Sequence, residues 1–259
     1  MAEKHIHQPA ADASEIMPGA RLTGDATAAD IESIRRQNSV YVYEAPVRLW
    51  HWVNAACITI LCVTGYFIGA PLPSMQIGEA TEQFVMGYIR FAHFAAAMIV
   101  TVGFFGRIYW AMVGNHHAKQ MFYVPVCNLH FWKEVLFELR WYLFIEKKPK
   151  KYVGHNPLAQ LAMFSFITIG LTFMLVTGWA LYAEGAGQGS LPDTLMGWVL
   201  GIVQNSQRLH TLHHLGMWAI IIFMIIHIYV AIREDIMSRQ SMVSTMISGH
   251  RTFKDDEIE

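Results

Sequence analysis

Four long stretches of this chain carry almost no charge, and nothing else constrains its fold as strongly. They are residues 51–70, 84–113, 157–182 and 209–232. About 20 apolar residues suffice to cross roughly 30 Å of hydrocarbon at about 1.5 Å per residue. Lipid offers no water to unpaired backbone groups, so such runs are expected as helices. The expected fold is an all-α integral membrane protein, a bundle of four transmembrane helices.

Punctuation agrees with those limits. Pro71 and Pro73 end the first run, Pro157 suits the first turn of the third, and Arg233, Glu234 and Asp235 close the fourth. Between the second and third runs, Phe131, Trp132, Val135, Leu136, Leu139, Tyr142 and Leu143 recur at helical intervals among Lys133, Glu134, Glu138 and Arg140. That pattern predicts an amphipathic helix lying at the membrane interface. Residues 1–40 show no sustained apolar face and are expected as a mobile cytoplasmic extension; 41–236 form the membrane domain and 237–259 a cytoplasmic tail. No internal repeat is read.

Charge sets orientation. Five Lys and Arg precede His51, seven lie in 114–156 and four follow Ala231, against none in 71–83 and Arg208 alone in 183–208. Sixteen basic residues against one place both termini and the central connection in the cytoplasm, with loops 71–83 and 183–208 outside. A formal net charge of −1 argues against nucleic acid as a partner. Three cysteines without CxxC spacing support neither a disulfide framework nor an iron–sulfur cluster.

The histidines carry the functional signal, because an ionisable group in an apolar span usually has a task. His213 and His227 are 14 residues apart in one helix, hence on nearly one face and roughly 21 Å apart in height. His93 matches the depth of outer His213, and His51 that of inner His227. Two facing neutral imidazoles would hold a haem iron from both sides and leave no position for oxygen, which implies one-electron transfer. No CxxCH is present, so two non-covalent b-type haems are expected. A helix-end histidine such as His51 also commonly bonds only water or headgroups. His210 and His214 point off the shared face.

Arg90, at the outer depth, is a candidate for haem propionates, with snorkelling toward headgroups as its plain alternative. Arg107 should point inward or to headgroups. Gly65, Gly103, Gly106, Gly170 and Gly178 allow close approach of helices or a ring, a signal common in membrane helices. His116, His117 and His130 suit solvated or proton-handling roles. Glu44, Glu234 and Asp235 are possible proton-entry groups, although charged helix flanks usually only set topology.

At YVYEAPVRLWHWVNA (41–55), MGYIRFAHF (86–94), GRIYWAMVGNHH (106–117), YVGHNPLA (152–159), HTLHHLGMW (210–218) and IREDIMSRQSMVSTMISGHRTFKD (232–255) the chain resembles the b-type cytochrome subunit of membrane-bound uptake nickel–iron hydrogenases. The resemblance covers about residues 40–255. It implies a di-haem anchor in the bacterial inner membrane that receives electrons from a periplasmic hydrogenase and passes them from outer to inner haem and on to quinone, with proton uptake from the cytoplasm. The axial ligands it implies are His51 with His227 and His93 with His213. Its implied partners are the hydrogenase small and large subunits, including a small-subunit membrane helix, and the quinone pool. Hydrogen chemistry would belong to the partner, and quinone reduction to this chain.

In the related formate dehydrogenase cytochromes a quinone site lies beside an Asn at the start of the third span, a place Asn156 occupies here after His155. Asn156 would donate to a quinone carbonyl and His155 would supply a proton, or Asn156 only caps the helix begun at Pro157. A formate dehydrogenase subunit is the nearest rival reading. HxxHH at 210–214 also resembles one box of membrane di-iron enzymes, which need several boxes.

Overall fold

A computed structural model describes residues 38–73 and 84–253. The expected extension, apart from its last three residues, part of the 71–83 loop and the last six residues of the tail lie outside the described residues. Residues 39–254 cluster as one compact unit.

In chain order the elements are strand β1 (Asn38–Tyr41), helices α1 (Ala45–Gly69), α2 (Val85–Val113), α3 (His116–Lys119), α4 (Leu129–Tyr142), α5 (Pro157–Ala186), α6 (Leu191–Val203), α7 (Ser206–Met237) and α8 (Met242–Ser248), and strand β2 (His250–Phe253). Helices α1, α2, α5 and α7 are long and apolar enough to cross a membrane. Much of their apolar surface faces outward, as with Phe91, Val102, Phe105 and Ile225, which suits lipid rather than water.

The helices outrun the apolar runs. α1 starts at Ala45, where Pro46 sits in the first turn, and α7 runs on to Met237 through its charged end. Both extensions lie on the side carrying the basic residues, where helix ends can be polar. The segment 183–208, expected as a loop, holds α6, capped by the Ser190 side chain.

α5 is interrupted by a π-helical stretch, Phe164–Ile169. The wider turns advance the face by about one residue, so the two halves of α5 present different sides to the bundle. Thr168 Oγ1 donates to Met121 O at 2.7 Å from within that stretch.

Strands β1 and β2 pair into a small sheet that an all-helical expectation lacks, and the expected tail is thereby folded back. The sequence signal was weak, since each strand has only four residues. Arg251, 2 % exposed, explains the attachment: its Nη1 donates to Tyr152 O at 2.9 Å and to Gly154 O at 2.6 Å. Gly154 has φ +90°, and a Cβ there would stand 2.6 Å from His117 Nδ1, so this corner requires glycine.

The helix expected between the second and third spans is present as α4, but its buried side is Phe131, Glu138 and Trp141. Trp132, Leu136, Leu139 and Leu143 of the expected apolar face are exposed, as an interfacial helix requires, whereas Phe131 of that face is buried.

Replacing Arg251 by Ala removes two charge-assisted bonds to buried carbonyls and should cost about 3 kcal/mol. Thermal unfolding in detergent reads this directly; an unchanged midpoint would show that the clamp stabilises nothing.

Candidate functional site

The four membrane histidines fall into two groups near opposite ends of α7. At the inner group, His51 of α1 and His227 of α7 have ring centres 6.3 Å apart. A metal–imidazole bond is about 2 Å and each ring centre lies roughly 1 Å behind its nitrogen, so two rings sharing one metal have centres about 6 Å apart. The separation fits a shared iron. The His227 ring stacks on Phe223 (5.6 Å, 20°), and Phe223 stacks on Phe166 of the π-helical stretch (5.0 Å, 15°). Trp52 meets the His51 ring edge-on at 5.0 Å. His51 Nδ1 is buried without a partner among the described residues.

At the outer group, His93 of α2 and His213 of α7 lie within electrostatic range of each other. His93 Nδ1 donates to Thr64 Oγ1 at 2.9 Å, and the Thr64 hydroxyl donates onward to Ile60 O at 2.6 Å. His213 Nδ1 donates to Thr177 Oγ1 at 2.8 Å, which donates to Phe173 O at 2.8 Å. With each threonine proton committed to a helix carbonyl, its oxygen is the acceptor and the histidine carries its proton on Nδ1. Nε2 keeps its lone pair for a metal.

The residue after each threonine is glycine. A Cβ on Gly65 would stand 3.3 Å from His93 Cε1, and one on Gly178 3.1 Å from His213 Cε1. Val63-Thr64-Gly65 in α1 and Val176-Thr177-Gly178 in α5 are therefore the same device used twice, with the threonine orienting the imidazole and the glycine admitting it. This pair of tripeptides is the short repeat that the sequence reading passed over. A search for identical tripeptides at matched depths would have found it.

The remaining histidines of the HxxHH segment diverge. His214 lies against Gly69, 3.4 Å from where its Cβ would be, while exposed His210 bonds Ser206 O at 3.0 Å. Among the described residues no group of three or more His, Cys, Asp or Glu converges as a metal cluster.

Arg90 is exposed, three residues before His93. Arg107 is 4 % exposed at the opposite end of α2. One nitrogen donates to Ala118 O at 2.7 Å, the guanidinium lies 5.7 Å over the Trp50 ring, and Nε and Nη1 have no partner among the described residues. Trp50 precedes His51, so these orphaned donors sit at the inner group. An anionic group such as a propionate would satisfy them.

Asn156 is buried and caps α5, its Oδ1 accepting from Ala159 N at 2.6 Å. Its amide also donates to Glu138 Oε2 at 3.1 Å and to the Tyr142 hydroxyl at 3.2 Å. His155 Nδ1 lies 3.3 Å from the Tyr43 hydroxyl and 3.2 Å from Gln120 Oε1. Burial, then the charges of Arg251, His227, Arg107 and His117, push its pKa down to about 3. His155 is neutral at physiological pH, and its proton is a hydrogen-bond donor's rather than an acid's. Glu44 and Glu234 are tied into structure, Glu44 to Trp110 Nε1 at 2.9 Å and Glu234 to Trp141 Nε1 at 2.7 Å.

A bundle of four membrane helices that brings imidazoles from different helices together fits a class, the membrane cytochromes that hold haem between histidines. The family model described as prokaryotic cytochrome b561 matches residues 42–249, and the chain belongs to that family. It is 73 % identical over 259 residues, all of this chain and 99 % of the relative, to the "Probable Ni/Fe-hydrogenase B-type cytochrome subunit" of Rhodobacter capsulatus. It is 63 % identical over 225 residues to the protein of that name from Azotobacter chroococcum mcd 1, covering 87 % of this chain and 93 % of the relative. The "Probable Ni/Fe-hydrogenase 1 B-type cytochrome subunit" of Escherichia coli (strain K12) is 48 % identical over 225 residues, covering 85 % and 94 %. Haem b is the cofactor this membership implies.

Thr64→Val or Thr177→Val should weaken haem retention at the His93–His213 level by about 10- to 100-fold and leave the other level intact. Haem content after gel filtration, with redox-titrated spectra, measures it; equal retention would remove the threonines from the site.

Proposed function

We propose that this chain is the membrane cytochrome of a nickel–iron hydrogenase complex, conducting electrons from the periplasmic enzyme to membrane quinone. The relatives' names support the partner, which would comprise small and large hydrogenase subunits, the small one contributing a membrane helix. Haem b held at two depths supplies one-electron transfer. The observation that carries the reading is the pair of imidazole sites, each with its ring orientation fixed by this chain's own residues.

The residues divide the work by level. Thr64 and Thr177 hold His93 and His213 with Nε2 left free, and exposed Arg90, one turn from His93, would be the propionate partner at that level. At the inner level Phe166 and Phe223 fix the plane of His227, while Arg107 offers unpaired donors for propionates. Ligation of a haem iron by two histidines would leave no position for oxygen or substrate and would confine the site to electron transfer.

Quinone would be reduced at the inner side, beside Asn156 and His155. A quinone carbonyl would take the amide hydrogen that Asn156 now gives Tyr142, and His155 would donate a second hydrogen bond. Protons would come from the side carrying the basic residues, read as cytoplasmic in a bacterial inner membrane with both termini inside. The exposed stripe Trp132, Leu136, Leu139 and Leu143 supports α4 lying in the lipid interface there.

A pyridine haemochrome assay on the purified chain should give two b haems. His93→Ala or His213→Ala should remove mainly the outer one, and His51→Ala or His227→Ala mainly the inner one. Loss of the inner spectrum from an outer substitution would overturn the pairing. Asn156→Ala should slow quinone reduction while haem content and hydrogen-driven haem reduction persist; unchanged turnover would leave Asn156 as a cap alone.

A further inference from the structure

Glu138 is a carboxyl group in an unusual position. It lies on α4, outside the spans, and is 2 % exposed. Oε2 accepts from Asn156, and Oε1 has no partner among the described residues. A buried carboxylate ordinarily needs a cation bonded to it. Among the described residues no cation bonds Glu138. On its own helix, Glu134 is bound by Lys150 at 2.8 Å, and the Tyr142 hydroxyl accepts from Asn156. From α7, Glu234 is a second buried carboxylate, and Arg233 donates to Trp141 O with its guanidinium among the rings of Trp141, Tyr142 and Phe144. From the 143–156 connection, Lys150 is committed to Glu134 and Tyr152 donates to Glu134 Oε2 at 2.8 Å.

These groups also form a continuous polar route. Glu134 and Lys150 reach the surface, Tyr152 bridges from Glu134 toward Glu138, and Glu138 bonds the Asn156 that opens the third membrane helix.

We propose that Glu138 is the proton-holding residue of the quinone site, passing protons taken up through Glu134 and Tyr152 to quinone reduced beside Asn156. The proposal rests on the quinone reading above. Each quinol formed takes two electrons, delivered by the hydrogenase-fed chain, and two protons. In each protonation the Glu138 O–H bond breaks, a quinone O–H bond forms, and the carboxylate left behind regains a proton from the Tyr152 side. Glu138 therefore acts twice per quinol. Burial, aided by the neighbouring Glu234 and Glu134 charges, outweighs the Tyr152 hydrogen bond and the Lys150 charge and supports this by holding its pKa up at about 7, where it can both keep and release a proton.

The sign of the stability effect follows. A carboxyl raised from 4.5 to about 7 stabilises the fold fully below the lower value and loses that contribution as pH rises through the upper one. Glu138→Gln should abolish that decline in a pH series of thermal unfolding.

In the intact hydrogenase complex with a short-chain quinone, Glu138→Gln should keep its haem content and hydrogen-driven haem reduction. It should slow quinone reduction by about tenfold or more and flatten the fall in rate above neutral pH, with Glu138→Asp restoring part of both. Wild-type rate and pH profile in Glu138→Gln, or an unaltered stability decline, would overturn the relay while leaving the quinone reading intact. A wild-type complex that reduces no quinone would overturn both. Should Glu138→Gln fail to assemble, Tyr152→Phe breaks the route upstream; a slower rate with a shifted pH profile supports the relay, and an unchanged one ends it.

Discussion

An imidazole in the middle of a membrane helix has two nitrogens and little water, and the arrangement of the bundle follows from satisfying both. One nitrogen of His93 and of His213 is satisfied by a threonine on the next helix, whose own proton is already committed to a helix carbonyl. That fixes the tautomer, leaves the other nitrogen its lone pair, and requires the backbones to come close enough that the next residue is glycine. Val-Thr-Gly in α1 and in α5 answers the same geometric demand for two different histidines.

The inner pair is held by other means. Threonine is replaced there by aromatic stacking, in which Phe166 supports Phe223 and Phe223 supports His227. The π-helical turns of α5 bear on this. The inner half, within the π-helical stretch, offers Phe166 to Phe223, and the outer half offers Thr177 to His213.

Polar groups buried on the inner side supply what the lipid-facing spans cannot. Arg107, Arg233 and Arg251 bind carbonyls that end or bend the chain, so the loops, β2 and the ends of α2 and α7 are tied into one layer beneath His51 and His227. Arg107 retains two donors without a partner among the described residues. Glu138 and Asn156 meet at the start of α5, where an unpaired helix end, a buried carboxyl and a tyrosine hydroxyl adjoin. Those cations satisfy backbone carbonyls, and Glu138 Oε1 has no partner among the described residues.

Much of this was legible in the residues alone. Charge-free length specified four spans, the distribution of lysine and arginine gave a direction, and the interval between His213 and His227 put two histidines on one face at two depths. Periodicity could not say which side of α4 is buried, because apolar residues there face lipid while Glu138 and Trp141 face protein. The two short strands left no pattern, and the threonines were invisible because a hydroxyl in a membrane helix usually bonds its own preceding turn. Sequence by itself determined the spans, the histidines and the family, because length, charge and helical phase are local. Only the tertiary structure decided which side chains orient the imidazoles, where Asn156 spends its amide, and that Glu138 Oε1 is left without a partner among the described residues, because each depends on residues brought together from different helices.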